Sequence, residues 1–300
     1  VKSLKFFSRR LTRAIARRLQ LEQNLFHQNQ LKLEAAKAKS QELVDVMPGI
    51  NLPMVIHPDM YFTIGYTKYI FEPESLDFIR DHLKPGQTFL DIGANVGYFS
   101  LFCSKIVTPS GRVIAVEPGE FAFNLLKKNK ELNKFNNLEI HQAGFGEKDE
   151  IVEFNSGAPG MEVYNSLGNI IHPSAAPDKF KTIPVQLFRG STWLQKNNVQ
   201  HIDLMKLDVE GGEYLVLKGM LEMFQSQKIS RLLIEITDEM SKAFGYHPSD
   251  IILMLRDCGY NWFKLGSYGW LEPLLENDIS KVSIGNHMFV AVSQKSKNQS

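Results

Sequence analysis

From about residue 51 onward, short apolar runs alternate with stretches whose apolar positions recur every three or four residues. Runs of this kind, bounded by turn residues, mark strands buried on both faces and connected by helices. The pattern predicts strands at Thr88–Ile92, Arg112–Glu117, Leu138–Ala143, Ile202–Asp208, Arg231–Ile236, Asn261–Leu265 and His287–Val292. Between them it predicts helices over Val96–Ile106, Glu120–Leu132, Glu213–Phe224 and Asp250–Asp257. The alternation specifies an α/β fold on a mostly parallel sheet with helices on both faces. Segment 155–181, punctuated by Gly and Pro, reads as the longest irregular piece and as a cover for a site.

Residues 1–46 follow a different rule and are expected to form a separate helical extension, with the globular domain running from 47 to 300. Leu4, Phe7, Leu11, Ile15 and Leu19 fall on one helix face, and the helical pattern continues through Ala35–Ala38 to stop near Met47-Pro48-Gly49. Seven cations and no acid stand in the first 18 residues. A basic amphipathic helix of this kind suits an anionic membrane surface, a transit peptide, a partner helix, or a plain connector. Opening on Val rather than Met suggests a processed or excised chain.

Charge sharpens the division. The net charge of +1 resolves into +6 over residues 1–50 and −5 over the rest. An acidic body has no surplus of cations for a phosphate backbone, which argues against nucleic acid as partner. With 43% hydrophobic and 22% charged residues the chain has material for a buried core. No run of 18 apolar residues occurs, and the two cysteines, Cys103 and Cys258, build no disulfide framework. A reducing, cytoplasmic location is expected, with peripheral contact at the inner membrane face through residues 1–20 as an option.

The segment with most chemistry is Asp91-Ile92-Gly93-Ala94-Asn95-Val96-Gly97-Tyr98-Phe99. A strand ends in an acid, a glycine turn follows, and a helix starts with free N–H groups at the carboxyl edge of the sheet. The spacing is neither G-x-G-x-x-G nor a P-loop. A carboxylate two residues before the glycine repels a pyrophosphate but suits an ammonium or sulfonium group, both present in S-adenosylmethionine. Glu117, at the tip of the second strand, is placed for ribose hydroxyls. Gly144-Phe145, after the third, reads either as an adenine slot or as a tight turn with a core aromatic. The fourth strand ends Lys206-Leu207-Asp208-Val209-Glu210-Gly211-Gly212-Glu213, and 206, 208 and 210 share a face if the strand reaches that far. Crowded carboxylates in a crevice usually have a role, with a structural salt bridge of Lys206 to one acid as the plainer alternative, and Asp208 and Glu210 are the candidate catalytic residues. The eight histidines show no ligand spacing and no G-x-S-x-G elbow occurs, so neither a metal site nor a serine hydrolase is expected.

These motifs, with Glu117-Pro118, Phe71-Glu72-Pro73-Glu74, Asn165-Ser166-Leu167 and Asn286-His287-Met288-Phe289, resemble the FkbM family of S-adenosylmethionine-dependent methyltransferases over about residues 60–293. Where that family usually carries a Leu-Asp pair before the fourth strand, Phe188-Arg189-Gly190-Ser191-Thr192 stands here. The resemblance implies a Rossmann-like class I methyltransferase sheet of seven strands and methyl transfer to a hydroxyl of a sugar, glycan or natural product. It also implies S-adenosyl-L-methionine bound by Glu72, Asp91, Gly93, Ala94, Asn95, Gly97, Tyr98, Glu117, Gly144, Phe145 and Asp208. The alternative is a non-catalytic methyltransferase-like binding protein anchored through its basic leader.

Overall fold

The computed structural model describes residues 28, 31–39, 41–60, 70–167, 175–275 and 287–295. Parallel strands β3 (Thr88–Ile92), β4 (Arg112–Val116), β5 (Leu138–His141), β10 (Leu204–Leu207) and β11 (Arg231–Ile236) form the centre of an eight-stranded sheet. β12 (Tyr260–Leu265), β13 (Leu271–Pro273) and β14 (His287–Ser293) complete it in the order β13-β12-β14-β11-β10-β3-β4-β5. β14 runs antiparallel to both β11 and β12. The short edge strand β13 lies beyond the seven strands expected. The chain steps outward from β3 to β5 and then returns to place β10 on the other side of β3, which opens a crevice at the carboxyl ends of the strands.

Alternation within each strand splits the core in two. Phe89, Val113, Leu204 and Leu233 point to one face, and Leu90, Ile114, Met205 and Ile234 to the other. Helices α1 (Pro73–His82), α2 (Tyr98–Val107) and α3 (Glu120–Asn133) cover the first face. Helices α4 (Gly190–Lys196), α5 (Glu213–Gly219), α6 (Leu221–Gln225) and α8 (Pro248–Asp257) cover the second, with α7 (Asp238–Ala243) following β11. Each fully buried aliphatic or aromatic side chain contributes ~1.5–3 kcal/mol, so the two layers dominate stability.

Two expectations are corrected, and a third is refined. Within segment 155–181 the described residues are mostly turns and short 3-10 pieces, as expected, but its ends belong to a second sheet: β7 (Glu150–Gly157) pairs with β9 (Phe180–Arg189) and with β8 (Ser166–Leu167), while β6 (Gly144–Gly146) pairs with β9. This second sheet closes around Phe154, Val185 and Leu187. The third strand of the main sheet ends at His141, because Gly144 already belongs to β6. The helical reading to residue 46 fails at its end: residues 31–39 are helical, but β1 (Leu43–Met47) and β2 (Leu52–Ile56) form an antiparallel hairpin. That hairpin docks on α3, where Asn129 Oδ1 accepts from the Val55 amide at 2.6 Å and Asn133 Nδ2 donates to the Pro53 carbonyl at 2.8 Å. A boundary between 46 and 47 therefore falls inside β1. The basic leader, residues 1–20, lies outside the described residues. Among those described, no helix is long and apolar enough to cross a membrane.

Candidate active site

Ladder register assembles the site. Ile92 pairs with Val116 on one side and Leu207 on the other, and Leu207 pairs with Ile234. The residues one step further, Gly93, Glu117, Asp208 and Glu235, therefore stand side by side at the sheet edge, and all four line a cavity of about 680 Å3. That volume lies within the usual range for small-molecule sites, roughly 300–1,000 Å3.

The turn after β3 is held by backbone geometry. Gly93 and Ala94 donate to the Val116 carbonyl at 3.0 and 3.1 Å. Gly93 has φ +82°, and a Cβ there would lie 1.7 Å from the Asp208 carbonyl oxygen. The glycine is thus demanded by the neighbouring strand tip, a closer constraint than the approach of a ligand. Asn95 takes φ +47° and sends its amide to Glu117 Oε2 at 2.9 Å, while the Gly119 amide donates to Glu117 Oε1 at 2.7 Å. Glu117 is consequently fixed with both oxygens at the cavity edge. Burial pushes its carboxyl up to about 7, against the pull of those two amides.

A buried charge cluster forms part of the wall, with Asp91 behind it. Lys206, 2% exposed, donates to Asp208 Oδ2 at 2.7 Å, lies 3.8 Å from Glu72 Oε1 and sits 4.6 Å from the centroid of the Phe99 ring. Burial works against its charge, but Asp208, Glu72 and Asp91 together hold its pKa above the ordinary lysine value. Asp91 faces Lys206 across the β3–β10 ladder and accepts from the Ser100 hydroxyl. Burial raises its carboxyl to about 6, with Lys206 opposing. Glu72 caps α1 at φ +41° and accepts from Ser75 at 2.7 Å.

The β10 strand ends at Leu207, so Glu210 does not reach the site by strand alternation. A tight loop presents it instead, with φ +54° at Glu210 and +106° at Gly211. Buried Glu213 pins that loop: its Oε1 accepts from the Val209 and Gly211 amides, and its Oε2 lies 3.1 Å from the Tyr246 hydroxyl. Burial and then Asp208 and Glu235 push the Glu210 carboxyl well up.

The structure brings Glu72, Gly93, Ala94, Asn95, Tyr98, Glu117, Asp208 and Glu210 to the cavity wall. It places Asp91 behind the wall and Gly97 at the start of α2, where φ is +92°. Gly144 and Phe145 lie elsewhere. Phe145 is 3% exposed and packs on Trp193 in the second core layer, because β6 turns away from β5 into the second sheet. Of the two readings at that position, the core aromatic describes what is seen. Phe188–Thr192 also lies away from the wall, with Arg189 paired to Glu222.

Sequence reasoning missed Glu162, Glu235 and Glu239 on the wall. Glu235, a single acid inside an apolar strand, has no spacing partner, and only the strand register reveals it. Seven carboxylates line the cavity against one lysine, so the wall favours a ligand carrying positive charge. S-adenosylmethionine fits that donor set: a sulfonium and an ammonium for the acids, ribose hydroxyls for Glu117, and a turn held open by Gly93. Among the described residues no group of His, Cys, Asp and Glu is arranged for a metal ion.

Comparison with known proteins agrees with this geometry. The Methyltransferase FkbM domain matches residues 91–261, from Asp91 through every strand tip of the site to β12. "Methyltransferase 1" of Beauveria bassiana is 28% identical over 51% of this chain and 66% of its own length. "Methyltransferase sdnD" of Sordaria araneosa is 26% identical over 72% of this chain and 92% of its own. The "31-O-demethyl-FK506 methyltransferase FkbM" of Streptomyces tacrolimicus is 26% identical over 59% and 74% respectively. The domain match spans more than half of the chain and its motifs meet at one cavity: the chain belongs to the FkbM methyltransferase domain family and is an S-adenosylmethionine-dependent methyltransferase.

Proposed function

We propose that the protein moves the methyl group of S-adenosylmethionine onto a hydroxyl oxygen of a sugar, glycan or natural-product acceptor. The observation carrying the reading is the register that sets Gly93, Glu117, Asp208 and Glu235 along one edge of the cavity. S-adenosylmethionine supplies a methyl group that is already activated, so the protein has only to place the reactants and receive a proton. Glu117 would hold the ribose hydroxyls, and Glu72 and Asp208 the ammonium group. Asp91 acts from behind, fixing Lys206 and Ser100. Glu210, on the loop beyond β10, and Glu235, at the β11 tip, lie on the far side of the sheet edge from Glu117 and would face the acceptor. An oxygen acceptor is also favoured by the name of the Streptomyces relative, which denotes a 31-O-demethyl substrate.

Incubation with methyl-labelled S-adenosylmethionine and fractionated glycan and natural-product pools tests the reading. It predicts label in an alkali-stable methyl ether. Label found only on nitrogen, or released by alkali as methanol, overturns the oxygen acceptor. Donor binding without any transfer would return the non-catalytic alternative.

A further inference from the structure

Asp208 and Glu210 share their end of the cavity with Glu235, which the sequence does not single out. Glu235 belongs to β11, where the ladder fixes its backbone from both sides: Leu207 pairs with Ile234, which sets Glu235 beside Asp208, and Met288 of β14 pairs with Glu235 directly. Its side chain lines the cavity, half-buried, and no hydrogen bond or ion pair within the described residues engages the carboxylate. Asp208 differs, because its Oδ2 is occupied by Lys206 at 2.7 Å. Glu210 differs too, since it rides on a left-handed loop beyond the strand. Among the three, Glu235 alone combines a rigid backbone, an open carboxylate and a place on the wall.

We propose that Glu235 is the proton acceptor for methyl transfer, a role that rests on the hydroxyl-methylation reading above. Glu235 takes the proton as the acceptor O–H bond breaks; the new O–C bond forms and the C–S bond breaks, its electron pair returning to sulfur. Donor, hydroxyl and carboxylate thereby become thioether, methyl ether and carboxylic acid, and charge is conserved.

The charged groups around Glu235 suit this task. Lys206 and Asp208 face it from the β10 tip, Glu210 from the loop beyond, Glu213 from α5 and Glu72 from the start of α1, with Glu239 of α7 on the same wall. Burial first, then Asp208, Glu72 and Glu213, lift its carboxyl to about 8, with Lys206 opposing. Its ionised form dominates only above that pH, a cationic donor bound beside it favours ionisation, and the resulting carboxylate is basic enough to take the hydroxyl proton. It is also costly to the fold, since a half-buried carboxylate without a partner gains nothing from ionising. Glutamine there should fold at least as well.

The test titrates Glu235 directly and needs no acceptor. The full chain, labelled with 13C at the glutamate side-chain carboxyls, is titrated by NMR alone, with S-adenosylhomocysteine, and with sinefungin, which carries an ammonium where the donor has its sulfonium. Glu235→Gln identifies the resonance and, relative to wild type, should gain melting temperature as pH rises from the ordinary carboxylate range through about 8. A base close to the reacting centre stands ~7 Å from that positive charge, so sinefungin should lower its pKa by at least ~1 unit more than S-adenosylhomocysteine does. Glu235→Gln should bind S-adenosylhomocysteine within about twofold of wild type. The proposal is overturned if no Glu235 resonance titrates above pH 7, if both nucleosides shift it equally, or if Glu235→Gln melts lower than wild type at pH 9. Should wild type bind neither nucleoside, the donor reading fails first and takes the proposal with it.

Discussion

Glu117 concentrates the cofactor argument in one side chain. Both its oxygens are already oriented by the amides of Asn95 and Gly119, so a ribose diol meets a carboxylate that needs no reorganisation. Glu117→Ala should weaken S-adenosylhomocysteine by about 1.5–3 kcal/mol, the range for hydrogen bonds to a charged group, as read by calorimetry. Because burial raises its carboxyl to about 7, the ionised form dominates only above that pH. Wild-type affinity should therefore climb between about pH 6 and 8, and Glu117→Gln should flatten the slope. The stability sign is the reverse. A carboxyl whose pKa rises on folding binds more protons folded than unfolded, so its contribution turns unfavourable as pH climbs from the ordinary carboxylate range through about 7. Asp91, Glu117, Lys206 and Asp208 could be singled out because each sits in a motif at a strand end. Glu235 could not, because one acid in Arg-Leu-Leu-Ile-Glu-Ile carries no local pattern and its meaning comes from β10 alongside.

At the scale of elements, the turn from β3 into α2 is the tightest constraint on the site. Gly93→Ala must seat a Cβ 1.7 Å from the Asp208 carbonyl and hold φ +82°. The left-handed conformation alone costs about 1–2 kcal/mol, and the clash also forces the β10 tip aside. The variant should melt well below wild type and lose nucleoside binding together with stability; normal melting with normal binding would show that the two strand tips separate freely. Strands β3, β4 and β10 were legible because each is a short apolar run closed by a motif. The second sheet was not, since β6 is only Gly144-Phe145-Gly146 and its pairing partner lies over 40 residues further on. The helix expected over Glu213–Phe224 breaks at Gly219, where a Cβ would lie 1.9 Å from the Gly146 carbonyl oxygen. Such a break depends on a non-local neighbour, which helical periodicity does not register.

For the molecule as a whole, the β1–β2 hairpin is part of the globular body. Met47, Met54 and Ile56 are fully buried in the first core layer, and Glu42 pairs with Lys128 of α3. A chain beginning at residue 41 should retain nucleoside binding and melt close to the full chain. One beginning at residue 48 strips β1 from β2, uncovers that apolar surface and should melt markedly lower; equal melting of the two would detach the hairpin from the fold. The central claim concerns the other end of the same layer, where β3, β4, β10 and β11 present their tips to one acidic cavity. Calorimetric titration of the full chain with S-adenosylhomocysteine, with NAD as control, tests that claim most directly. The structure predicts one site per chain for S-adenosylhomocysteine, weakened in Glu117→Ala, and no binding of NAD. Binding of NAD in place of S-adenosylhomocysteine, or a nucleoside affinity indifferent to Glu117, would contradict it.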